Sequence, residues 1–147
     1  MEELLQEIKE VVKEKGGRDE KLLKICKILS KIPHYNWVGF YIADNEKKEL
    51  HLSSFVGEPT EHKRIPFGKG ICGRVAEEQK TLVIQDVSKE NNYLACSLKV
   101  KAEIVVPIFK NGEFVAELDI DSHQLAPFGE EDKKFLEKVA GMVAEIF

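Results

Sequence analysis

Apolar residues recur at helical spacing at Leu4, Leu5, Ile8, Val11 and Val12, and Gly16-Gly17 ends that pattern. A second helix is predicted over 19–31, with Asp19 read as its N-cap and Leu22, Leu23, Ile25, Cys26 and Leu29 on its apolar side. Cys26 on that stripe reads as core packing. The period then shortens. Residues 36–42 are aromatic and β-branched, hence a strand, and 50–55 return after the polar turn 44–48 as its hairpin partner. Residues 63–66 end in Pro66 and read as a short edge strand, because proline cannot donate within a central one. Gly68-Lys69-Gly70-Ile71-Cys72-Gly73 leads into a helix, and 82–87 form a strand. A long polar connection over 88–102 carries Cys96, Lys99 and Lys101, and connections of that length are often functional. Residues 103–109 and 113–121 flank Lys110-Asn111-Gly112, a strong hairpin signal. Glu130, Glu131 and Asp132 open the last helix, whose stripe is Phe135, Leu136, Val139, Ala140, Val143, Ile146 and Phe147.

This order predicts an α+β protein: a central antiparallel sheet of about six strands with helices packed on it. At 147 residues the chain has room for a single domain over 1–147. We divide it into N-terminal helices (1–33), sheet and active-site loops (34–127) and a C-terminal helix (128–147). The apolar fraction of 43% and charged fraction of 33% fit a globular chain. A net charge of −4 without a basic block argues against nucleic-acid binding. No apolar run reaches the roughly 18–20 residues of a membrane span, and the acidic, amphipathic start is no secretory signal. The expected location is the cytoplasm, where thiols stay reduced and a lasting structural disulfide is disfavoured.

The chemistry-bearing stretch runs from Cys72 through Cys96 to Glu103. Two thiols and an acid make a redox set, although buried cysteines are commonly inert. Asp119 and Asp121 share one face of their strand with Glu117, while Phe114, Ala116, Leu118 and Ile120 fall on the other. That polar face is either solvated or a carboxylate pair holding a cation. Trp37, Gly39 and Tyr41 also share a face, either as core or as a small box for a methyl group or cation. The glycine loop at 68–73 is either a tight turn or a backbone anion site. Metal spacing is absent from His62, Cys72 and Cys96, and no cofactor fingerprint is present.

Asn36-Trp37-Val38-Gly39-Phe40-Tyr41, Arg64 to Gly73, Ala95-Cys96, Glu103 to Pro107 and Leu118-Asp119-Ile120-Asp121-Ser122 together resemble the free methionine-(R)-sulfoxide reductases, small stand-alone GAF-domain enzymes. The resemblance covers about residues 36–135. It implies a GAF fold and reduction of free methionine-(R)-sulfoxide to methionine. It implies Cys96 as the attacking thiolate, a sulfenic acid intermediate, and Cys72 as the thiol that resolves it to a disulfide. Glu103, Asp119 and Asp121 would engage the sulfoxide oxygen and the substrate amino group, and Trp37 and Tyr41 would enclose its methyl end. A thioredoxin-like reductant and a homodimer are further implied. The chain departs from the pattern at His62, where many members carry another cysteine, and at Ala116-Glu117, where a Gly-Val pair is usual. A non-catalytic GAF module binding a small ligand, or a thiol redox sensor, remains open at this point, although an isolated domain without an output partner weighs against the first.

Overall fold

The computed structural model describes residues 1–91, Tyr93 and residues 98–147. Two helices, α1 (Glu2–Lys13) and α2 (Arg18–Leu29), precede a hairpin of β1 (Trp37–Asp44) and β2 (Glu49–Val56). The edge strand β3 (Arg64–Pro66) leads to α3 (Gly70–Glu78) and β4 (Leu82–Ile84). A 3₁₀ turn at Val87–Lys89 follows, then β5 (Ala102–Lys110), β6 (Glu113–Ser122) and α4 (Glu130–Val143), which runs into a second 3₁₀ turn at Ala144–Ile146. The sheet runs β3-β2-β1-β6-β5-β4, and every neighbouring pair is antiparallel. The α+β architecture and the six strands are as expected from the sequence pattern.

Four local expectations need correction. Helix α4 ends at Val143, so Ile146 falls in the following 3₁₀ turn and Phe147 beyond it, and both are half-buried rather than part of a buried helical stripe. Helix α2 starts behind Gly17, and Asp19 does not cap it. The Asp19 carboxylate instead accepts the Ser53 hydroxyl at 2.8 Å, so a tertiary partner wins over the local one. Strand β4 stops at Ile84 because the Asp86 side chain accepts from the Ser88 N–H and starts the 3₁₀ turn. Phe114 lies on the opposite face from Ala116 and Leu118. The β5–β6 register shifts between Ile108 and Phe109, and that bulge reverses the alternation near the turn. The turn itself has Asn111 at φ 53° and Gly112 at φ 80°, the conformation an Asn-Gly hairpin needs.

The two sheet faces differ. On one, α1, α2 and α4 bury Val38, Phe40, Ile104, Val106, Leu118 and Ile120 in an apolar core with Ile8, Leu22, Leu136 and Val139. Asp132 ties α4 to the rest: it accepts from the Gly129 N–H at 2.8 Å and the Tyr35 hydroxyl at 2.7 Å, and pairs with His34 at 2.9 Å. On the other face α3 lies across β5 and β6, over a smaller cluster that includes Trp37, Tyr41, Ile71, Cys72, Val75 and Val105.

Candidate active site

Registry on the face beneath α3 places side chains in three cross-strand rows. Trp37, Asp121 and Glu103 form the first, Gly39, Asp119 and Val105 the second, and Tyr41, Glu117 and Pro107 the third. Strand β6 is central, so its polar alternation is covered on both sides. Asp119 and Asp121 are each 1% exposed, Glu117 is fully buried and Glu103 is 4% exposed. The solvated-face alternative is therefore excluded: the period-2 pattern marks the face, and α3 buries it.

Helix α3 reaches this face through a tight approach. A Cβ on Gly73 would meet the Pro66 carbonyl at 2.8 Å and the Gly68 nitrogen at 2.9 Å, so only glycine lets the first turn close on its own loop. Cys72 then points down onto the acids. Its thiol donates to Glu103 Oε2 at 3.8 Å, and the Cys72 sulfur and one carboxyl oxygen from each of Glu103 and Asp119 all lie within 4.8 Å of one another. A space of about 10 Å³, room for roughly one water, sits among Tyr41, His62, Lys69, Cys72, Glu103 and Asp119. A wider open groove of about 540 Å³ runs past Thr81, Phe109 and Lys133, away from these groups.

The aromatic residues have a second duty. The Trp37 indole N–H donates to the Glu58 carbonyl at 2.9 Å, and the Tyr41 hydroxyl donates to the His62 carbonyl at 2.8 Å. Together they fasten the β2–β3 connection over the site. The two rings lie 6.5 Å apart, and Trp37 stacks on Phe55 at 5.5 Å. The room left by Gly39 is filled by Trp37 itself, since a Cβ there would lie 2.4 Å from the indole.

Electrostatics here is dominated by burial. Burial pushes the Cys72 thiol well above its ordinary range, and the surrounding Asp119, Glu103, Glu117 and Asp121 carboxyls push it further. Burial also holds Glu117 well above the usual carboxylate range, with Asp119 adding to the effect. Asp119 is raised by burial against opposing contacts with Glu103, Asp121 and Cys72. Carboxyls this close share protons rather than all ionising. Such a cluster can hold a proton for delivery, or neutralise a bound ammonium or divalent cation.

Of the residues singled out from the sequence, Cys72, Glu103, Asp119 and Asp121 come together, with Tyr41 at the cavity and Trp37 beside it. Cys96 lies outside the described residues. His62, Lys69 and the buried acid Glu117 were not singled out as site residues. For Glu117 the signal was present in the 117/119/121 alternation.

A sequence profile of the GAF domain family matches residues 17–146, and the chain belongs to that family. It is 37% identical over 138 residues to GAF domain-containing protein A of Dictyostelium discoideum, covering 94% of this chain and 86% of that one. It is 40% identical over 110 residues to the free methionine-R-sulfoxide reductase of Saccharomyces cerevisiae, covering 74% of this chain and 61% of the yeast protein. The crystal structure of the Neisseria meningitidis free methionine-R-sulfoxide reductase with its substrate superposes with a TM-score of 0.93 at 36% identity, covering 99% of this chain and 87% of that one. Within the GAF family the chain belongs to the free methionine-R-sulfoxide reductases, a family of enzymes.

Proposed function

We propose that this chain reduces free L-methionine-(R)-sulfoxide to methionine with Cys96 as nucleophile and Cys72 as resolving thiol. The observation that carries the reading is the gathering of Cys72, Glu103 and Asp119 within 4.8 Å on a buried face, in a chain that matches a substrate-bound reductase across its length. A sulfoxide becomes electrophilic when its oxygen takes a proton, and an acid kept neutral by burial supplies one. The Cys96 thiolate attacks sulfur, oxygen passes to Cys96 as a sulfenic acid, the acid becomes a carboxylate and methionine leaves. The Cys72 thiol then condenses with the sulfenic acid, forming the S–S bond and releasing water. A dithiol of the thioredoxin type takes up the disulfide and returns both thiols.

The carboxylates of Asp119 and Asp121 suit the substrate ammonium. The N–H groups at the start of α3 suit its carboxylate. Trp37 and Tyr41 bound the methyl end. A peptide-bound sulfoxide lacks both charges, which supports selection of the free amino acid. The need for reduced thiols supports a cytoplasmic location. No helix among the described residues is long and apolar enough to cross a membrane. A homodimer follows from the family reading and is checked by sedimentation.

The deciding assay supplies the R and S epimers separately with a dithiol and measures methionine. Turnover of the R epimer, abolished by Cys96→Ser, supports the reading. In Cys72→Ser the first turnover persists and recycling slows. No turnover of the R epimer would sink the proposal.

A further inference from the structure

Glu117 has no place in the chemistry just described, yet it is the most buried carboxyl on the face. It is 0% exposed, and neither carboxyl oxygen has an aligned hydrogen-bond partner among the described residues. An orphaned buried acid costs stability, and native folds keep few of them without a use. Its titratable neighbours are Cys72 from α3, Asp119 from its own strand and Tyr41 across from it on β1; the β5 residue opposite is Pro107. The Cys72 thiol lies against the Glu117 carboxyl without a well-formed hydrogen bond.

Reduction of the disulfide creates the demand this group meets. Cys72 is 4% exposed on the sheet-facing side of α3, which obstructs attack on its own sulfur; on the reading above the reductant thiolate therefore adds to Cys96 and Cys72 is the leaving group. Exchange slows when the leaving thiol has high proton affinity, and burial beside four carboxyls raises that affinity at Cys72. We propose that Glu117 is the acid that protonates Cys72 as the disulfide opens, a role that rests on the Cys72–Cys96 reading above. The reductant sulfur bonds to Cys96 and the S–S bond breaks. The electron pair goes to Cys72 sulfur, which takes the Glu117 proton. The second reductant thiol then displaces Cys96 as a thiolate and completes the reductant's own disulfide. A proton shed by the reductant restores Glu117.

The test forms the disulfide with methionine sulfoxide or peroxide, confirms the 72–96 bond by peptide mass spectrometry, and follows its reduction by dithiothreitol in the intact chain. Glu117→Gln keeps the shape and removes the proton. It is expected to slow reduction by at least about tenfold near neutral pH, with the deficit fading as pH rises and wild-type Glu117 also loses its proton. Glu117→Val gives a second reading if the glutamine variant folds poorly, and should show the same deficit. Rates and pH profiles equal to wild type in a variant with the 72–96 bond would overturn the role of Glu117 alone. Failure of wild type to form that bond would overturn this role and the Cys72 assignment together.

Discussion

Replacing Glu117 with valine should make the protein more stable. The side chains have similar volumes, so little cavity or strain is introduced. What is removed is a fully buried carboxyl with neither oxygen in an aligned hydrogen bond among the described residues, a liability of about 1–3 kcal/mol. For a chain of this size that corresponds to a melting temperature higher by about 2–10 °C. The effect has a pH signature. In the unfolded chain Glu117 ionises near its ordinary value of 4.5, whereas burial holds it neutral to well above that in the fold. A carboxyl raised on folding contributes stability below the unfolded value, and this is lost as pH climbs towards the folded one. Across that window wild type loses up to about 1.4 kcal/mol per pH unit relative to the variant. Differential scanning calorimetry of both proteins at a series of pH values from about 5 to 8 measures the gap, which should widen with pH. A flat gap, or a variant that melts below wild type throughout, would mean that Glu117 is ionised and paired in the fold, and the reasoning would fail.

Gly39→Ala places a methyl group 2.4 Å from the Trp37 indole, and displacing that ring should cost about 1–3 kcal/mol. Trp37 is the single tryptophan, so its emission reports the shift directly, and an unchanged spectrum and melting point would count against the packing described. Asp132→Ala removes the acceptor for Tyr35, Gly129 and His34 and should cost about 1.5–3 kcal/mol in urea unfolding. Although burial pulls Asp132 upward, those hydrogen bonds hold it below its ordinary 3.8, so its stabilisation is present above that value and lost as pH falls through the folded one. Asp119→Asn should slow single-turnover methionine formation by about 100-fold or more in rapid-quench experiments while far-UV dichroism stays unchanged, and wild-type rates would remove Asp119 from the chemistry.

The sequence was most informative where the local chain decides its own geometry. Asn111-Gly112 determines its hairpin because both residues accept positive φ, and Pro66 marks an edge because it cannot donate. It was least informative where one element covers another. The alternation at 117, 119 and 121 identifies a face in either case, but only the placement of α3 turns a polar face into a buried acid cluster. Asp19 fails as a cap for the same kind of reason: Ser53 lies 34 positions away in the chain and competes for its carboxylate. The space above Gly39 was legible as space, while its occupant depended on the rotamer of Trp37.

Cys26 and Cys72 show why cysteine content alone decides little. Both are buried, and burial raises both thiols. Cys26 lies in the apolar core cluster, where its thiol donates to the Ser54 carbonyl at 3.7 Å, an acceptor that carries no exchangeable proton. Cys72 faces carboxyls, which makes it a poor nucleophile at rest because burial and those neighbours disfavour its thiolate. That argues against Cys72 as the first attacker on a sulfoxide and favours the second role, where a sulfenic acid is already electrophilic. In the proposed disulfide, the same acids that disfavour the thiolate would obstruct its departure on reduction, unless one of them carries a proton. A face that apolar residues would stabilise better is instead filled with groups able to carry one. The stability gained in Glu117→Val and the slowed disulfide reduction expected of it are then two measurements of one arrangement.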